Sequence, residues 1–135
     1  MKTQDIIGKG LILPLERHGS DFDNVSGAGV IESSIKQILR TRKGELRWNP
    51  DFGLPNMLHE SINDAVLAQV QADTAESITK FEPRAELLDI VILQGGHGSG
   101  FPDNSIVVSV TWRAVIRGKR GNTVLTDERS TEVVI

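Results

Sequence analysis

The chain contains neither cysteine nor tyrosine in 135 residues. Without cysteine there are no disulfides, no zinc–thiolate sites and no thiol catalysis. With no Tyr, two Trp and four Phe, aromatic platforms for stacking bases are not expected. An excess of one charge is missing as well: 15 basic residues stand against 18 acidic ones, so no global field favours nucleic acid or an anionic membrane. No apolar run approaches membrane-spanning length, and the opening Met1-Lys2-Thr3-Gln4-Asp5 lacks the apolar core of a signal peptide. These absences predict a soluble cytoplasmic protein with no membrane or nucleic-acid partner. The length fits a single domain, 1–135, able to bury a real core.

Periodicity predicts an α+β fold, two main helices packed on a small, mainly antiparallel sheet formed by the C-terminal half. Residues 1–25 read as an irregular N-terminal segment. Gly8, Gly10, Gly19, Gly27 and Gly29 punctuate the stretch to residue 29, and Pro14 stops the short run Leu11-Ile12-Leu13. From Val30 to Thr41, Ile31, Ile35, Ile38 and Leu39 make one helical face, with Gly44 as a plausible cap. Residues 44–53 form a turn-rich excursion. A second helix is expected from about Ile62 to Phe81, N-capped by Ser61 with Asp64 three residues on, and Ile62, Val66, Val70, Ile78 and Phe81 supply its inner stripe.

Three strands are expected to follow. Leu87 to Leu93 is the first. In Ser105 to Arg117, Ile106, Val108, Val110, Trp112, Ala114 and Ile116 alternate with a mixed face, as in a half-buried antiparallel strand. Thr123 to Ile135 returns as the third. It is polar through its middle and apolar at Val133, Val134 and Ile135, a pattern suited to a sheet edge where a second chain can pair.

Between the second helix and the first strand stands Glu82-Pro83-Arg84. The proline has no N–H and biases Glu82 out of the α region, so the corner is stiff and extended. Arg84 offers a planar five-donor fork, charged at any working pH. Glu45-x-Arg47 repeats the Glu-x-Arg spacing. The two units either pair crosswise and knit the excursion to the corner, or leave Arg84 for a partner.

Other chemistry finds less support. Gly95–Gly100 resembles a phosphate cradle, but no helix follows and no Lys-Ser/Thr ends it, so it reads as a hairpin loop. Gly27-Ala28-Gly29 precedes a helix, yet the third dinucleotide glycine would fall at Glu32. His18, His59 and His97 lie in separate regions without metal spacing, so neither metal nor cofactor is expected. Glu45, Asp51, Glu60 and Glu82 are candidates for paired-carboxylate hydrolysis. Each sits beside an arginine or in an exposed turn, where nothing raises its pKa to suit a general acid. Lys36, Arg40, Arg42, Lys43 and Arg47 gather around a helix C-terminus, which cations favour in any case.

The ordered set Ile35-x-x-Ile38-Leu39-x-Thr41-x-x-Gly44-Glu45-x-Arg47, then Pro50-x-Phe52-Gly53, then a helix closed by Glu82-Pro83-Arg84, resembles the GPW-type, "lysozyme-like" baseplate wedge proteins of contractile phage tails. That family has relatives in type VI secretion baseplates and extracellular injection particles. The resemblance covers roughly residues 25–117; Leu46 departs from relatives that run Gly-Glu-Arg directly. It implies a non-enzymatic structural subunit, made in the cytoplasm and then built into a virion tail or particle baseplate. It also implies that Glu82, Pro83 and Arg84 contact the larger helical wedge proteins, with tube or hub proteins nearby. The strand ending in Val133, Val134 and Ile135 would pair with tail sheath protein and help to initiate sheath. Gly44, Glu45, Arg47, Phe52 and Gly53 would be structural. On this reading, removing residues 130–135 leaves a folded domain that cannot seed sheath. The runner-up is a peptidoglycan hydrolase using Glu45 or Glu82, and a third reading is a stress-response adaptor on the same fold.

Overall fold

The computed structural model describes residues 9–11, 17–18, 21–22, 24–56, 61–117 and 123–135. Within the N-terminal segment, expected to be irregular, four short strands form two antiparallel pairs: β1 (Lys9–Leu11) with β4 (Asn24–Ser26), and β2 (Arg17–His18) with β3 (Asp21–Phe22).

Helix α1 spans Ala28–Arg40, close to expectation, and buries Ile31, Ile35, Ile38 and Leu39. Gly27 opens it at φ 70°, a conformation that L side chains rarely adopt. Its C-terminus differs from the expectation. Thr41, not Gly44, is the capping residue; it turns extended, while its N–H and hydroxyl both donate to Gln37 O, at 3.1 and 2.7 Å.

Helix α2 spans Asp64–Phe81. Asn63, not Ser61, is its N-cap, with Oδ1 accepting from Val66 N–H at 3.0 Å. The side-chain oxygen thereby satisfies one of the orphan donors of the first turn. Only Val70 and Ile78 of the expected apolar stripe are fully buried; Asp73, Thr74 and Ser77 are buried beside them. The helix ends at Glu82, whose N–H still reaches Ile78 O at 2.8 Å.

The main sheet is built on β6 (Ile106–Arg117). β5 (Ala85–Gln94) lies antiparallel on one side, β7 (Thr123–Leu125) and β8 (Arg129–Val134) on the other. The alternation read from residues 106–116 holds: Ile106, Val108, Val110, Trp112, Ala114 and Ile116 are all buried. In β5 a bulge interrupts the register at Leu88, between the pairs Leu87–Trp112 and Asp89–Thr111. The extra residue lets Leu87 and Ile90, three apart, both meet the core.

The last strand is not continuous. Residues 126–128 separate β7 from β8, and Thr126 bridges the break. Its N–H donates to Ala114 O at 3.1 Å, and its Oγ1 accepts from Ala114 N–H at 3.0 Å. A side-chain oxygen replaces a ladder carbonyl there, so the return strand divides without stranding Ala114. One core results, with α1 and α2 covering the inner face of β5, β6 and β8 around Trp112, Ile35, Ile78, Val110 and Val133.

Candidate functional site

The corner between α2 and β5 has a specific geometry. Glu82 is 2% exposed, although it is charged and sits at a helix end. Its two carboxylate oxygens take both arms of the Arg84 fork: Nε to Oε1 at 2.6 Å and Nη2 to Oε2 at 2.8 Å. The hydrogen bond from Glu82, aided by its charge, holds the Arg84 guanidinium above its ordinary pKa despite partial burial. The backbone fixes the corner on both sides. Ala85 N–H donates to Glu82 O at 3.1 Å, and Val115 N–H donates to Arg84 O at 2.8 Å. Pro83 is exposed between them, and the Arg84 side chain keeps 40% exposure. The corner therefore presents a guanidinium whose plane is set by a buried carboxylate.

The excursion that follows α1 is closed by its own backbone. Leu54 N–H bonds Thr41 O at 2.9 Å, Lys43 N–H bonds Leu54 O at 2.8 Å, and Gly44 N–H bonds Pro50 O at 2.8 Å. Glu45 Oε2 accepts from Arg42 N–H at 3.0 Å. Each glutamate of the two Glu-x-Arg units thus closes its own turn: Glu45 on the Arg42 backbone, Glu82 on Arg84. Arg47 is exposed, and the next residue, Trp48, is 82% exposed. Gly53 lies at φ 100°, and a Cβ there would meet Thr41 O at 2.2 Å. Phe52 and Phe81 bring their rings to 4.9 Å, and Ser77 Oγ donates to Gly53 O at 3.0 Å. Gly44, at φ 86°, serves the loop and not the helix end. Gly44, Glu45, Phe52 and Gly53 therefore hold the excursion together and dock it onto α2.

β8 has a strand neighbour on one side only among the described residues, namely β6. Val133 is buried in the core, whereas Val134 and Ile135 stay about two-fifths exposed. Ile135 N–H donates to Ile106 O at 2.9 Å. Antiparallel alternation then directs the N–H groups of Thr131 and Val133 toward β6, and those of Ser130, Glu132 and Val134 away from it. The corner and this edge are separate features; the sheet lies between them. Removing residues 130–135 would strip Thr131 and Val133 from the interior, so the truncation expected to leave the fold intact would instead open the core.

The carboxylates considered for hydrolysis are not arranged as an acid–base pair. Glu82 is engaged bidentately by Arg84, Glu45 caps an exposed turn, and Asp51 is exposed; Glu60, like His59, lies outside the described residues. His97 faces Asp103 at 3.7 Å on an exposed loop. Among the described residues no group of three His, Asp or Glu side chains is placed to hold a metal ion, and no helix is long and apolar enough to cross a membrane.

Two helices on an antiparallel sheet, with buried Glu82 gripping a partly exposed Arg84 at the corner between α2 and β5, define a small α+β domain. The family model for baseplate wedge protein gp25 matches residues 25–119, and the chain belongs to that family. Among solved structures, the baseplate of the anti-feeding prophage contains a chain 18% identical, with a TM-score of 0.63 over 98% of this chain and 87% of that one. A protein from Geobacter sulfurreducens, given the provisional name tail lysozyme, is 23% identical with a TM-score of 0.54 over 81% and 91%. A chain of the type VI secretion baseplate complex is 21% identical, with a TM-score of 0.49 over 75% and 87%. Comparison with curated protein sequences gave no match. The family carries the assignment to baseplates; the anti-feeding prophage and Geobacter sulfurreducens likenesses support the fold alone.

Proposed function

We propose that this chain is a non-enzymatic wedge subunit that joins the helical wedge core of a contractile baseplate to the first ring of sheath. In this reading Glu82, Pro83 and Arg84 form the wedge contact. The observation that carries it is the bidentate pair itself: a guanidinium pre-oriented by a buried carboxylate loses little freedom on meeting a partner carbonyl or carboxylate. The edge of β8, ending in Val133, Val134 and Ile135, pairs with a strand of the sheath protein by β-addition, in which main-chain bonds give affinity. The subunit is made in the cytoplasm and then incorporated into the particle, where tube or hub proteins lie nearby.

A hydrolase function has no comparable support, because Glu82 is committed to Arg84 and Glu45 to a turn. The deciding experiment expresses Arg84→Glu in the native host and isolates particles. The expected result is a variant that no longer enters baseplates, with Arg84→Lys, which keeps a cation against buried Glu82, as the control that separates lost contact from lost folding; normal particles containing Arg84→Glu would overturn the wedge contact. Clearing of purified cell walls by the wild-type protein, lost in Glu82→Gln, would establish the hydrolase instead.

A further inference from the structure

The chain carries two tryptophans at opposite extremes of burial. Trp112 is fully buried and bonds Thr131 inside the core, whereas Trp48 is 82% exposed. Trp48 sits in a tight turn. Asn49 N–H donates to Leu46 O at 3.1 Å, which makes Arg47 and Trp48 the two central residues of a four-residue turn. Turn centres favour glycine, asparagine, aspartate and proline, so local structure gives no reason for an indole there. The backbone around the turn is held. Glu45 N–H bonds Arg42 O at 3.0 Å, Gly44 N–H bonds Pro50 O at 2.8 Å, and Phe52 N–H bonds Asn49 O at 3.1 Å. Phe52 in turn packs on Phe81, the residue before Glu82. Trp48 is four residues from Phe52, a reach of no more than about 14 Å. The turn therefore stands beside the end of α2 that leads into the Glu82–Arg84 corner.

A large exposed aromatic on a pre-organised loop adds little to the core and loses little freedom on association. Trp and Arg are also the residues that most often dominate protein interfaces. We infer that Trp48 is a docking anchor of the subunit: it inserts into an apolar pocket of a partner baseplate protein, where carboxylates on the pocket rim pair with Arg47 and accept from the indole N–H. The charge around the indole selects that rim. Arg42, Lys43 and Arg47 are exposed in the loop, and Lys80 stands over the Phe81 ring at 5.1 Å. Against them are Asp51 and Glu45, and one Glu45 oxygen is taken by the Arg42 N–H. The surplus is positive, so a carboxylate-rimmed pocket is attracted and a basic one repelled. An indole buried there removes on the order of 150–250 Å² of side-chain surface from water. The inference rests on the reading of the chain as a baseplate subunit, but not on the roles given to Arg84 or β8.

Two measurements test this. The first is hydroxyl-radical labelling of the wild-type chain, free and in particles purified from the native host, read by mass spectrometry. Trp112, buried in the fold, is the internal control. Trp48 is expected to react readily in the free chain and at least tenfold more slowly in particles. Particles that contain the chain with Trp48 equally reactive would refute this inference alone; particles that lack the chain would refute the baseplate reading and this inference together. The second measurement co-expresses Trp48→Ala with the wild type and compares their shares in baseplates. The hydrogen bonds that hold the loop do not use the indole, so the variant is expected to unfold in urea like the wild type. It should nevertheless be at least tenfold under-represented in baseplates, with most of that loss recovered in Trp48→Phe. Equal shares of Trp48→Ala and wild type would mean that Trp48 anchors nothing, even if it is protected, and would overturn the inference. A blue shift of tryptophan emission on adding soluble peptidoglycan fragments to the free chain, absent in Trp48→Phe, would assign the indole to a saccharide and would also overturn it.

Discussion

The indole N–H of Trp112 donates to Thr131 Oγ1 at 2.9 Å, and both side chains are fully buried. This bond joins the central strand β6 to the edge strand β8 inside the core, so the strand proposed to pair with sheath is held from within. Replacing Thr131 by Val keeps the shape and leaves the indole N–H unsatisfied. We expect a loss of about 1–3 kcal/mol in urea unfolding, with most of it recovered in Thr131→Ser. A Thr131→Val variant as stable as the wild type would show that the hydrogen bond contributes little to holding β8.

Gly44 and Gly53 separate two costs that are usually confounded. Both have positive φ, 86° and 100°, but a Cβ at Gly44 meets nothing within 4 Å while one at Gly53 meets the Thr41 carbonyl oxygen at 2.2 Å. Gly44→Ala should cost only the left-handed backbone term, about 1–2 kcal/mol. Gly53→Ala adds a backbone collision beside the Leu54–Thr41 hydrogen bond, and should cost about 2 kcal/mol more. Equal losses in chemical denaturation would mean that the loop shifts freely and is not clamped to α2.

The same loop shows where sequence reading stops. α1 was legible because Ile31, Ile35, Ile38 and Leu39 make an apolar face in any helix, and β6 because its alternation runs unbroken from Ile106 to Ile116. The corner was legible because proline acts locally. In α2 the buried face includes Asp73, Thr74 and Ser77, none of which belongs to the apolar stripe expected from Ile62, Val66, Val70, Ile78 and Phe81. Ser77 is buried because it bonds Gly53 O, 24 residues away, and no local pattern reports such a partner. Leu88 likewise became a bulge because the pairing with β6 needed Leu87 and Ile90 on one face. The division of the last strand at Thr126 depends on one hydroxyl finding Ala114.

Glu86 and Arg113 form a cross-strand pair on the outer face, with Arg113 Nε on Glu86 Oε2. The hydrogen bond from Arg113, with its charge in addition, lowers the Glu86 pKa below the ordinary glutamate value. A depressed folded-state pKa contributes stability that is present above the unfolded value and is lost as pH falls through the folded one. The pair should therefore matter at neutral pH and fade in the acid range below the ordinary glutamate pKa. Carboxyl NMR titration of Glu86 should show its pKa rising toward the ordinary value in Arg113→Gln. An unchanged titration would assign the shift to another source.

The edge of β8 permits a test that leaves the core intact. The Glu132 N–H is directed away from β6, while the flanking Thr131 and Val133 side chains are buried. Proline at an outward-facing edge position removes a donor that pairs with no other strand among the described residues. Glu132→Pro should therefore change unfolding stability by no more than about 1 kcal/mol, yet withdraw a hydrogen bond from any strand added alongside. Glu132→Lys keeps the N–H and changes the side chain alone, which separates backbone pairing from charge. If strand addition seeds the sheath, Glu132→Pro should yield baseplates without sheath while Glu132→Lys still polymerises it. Sheathed particles from a folded Glu132→Pro variant would mean that β8 is not the template.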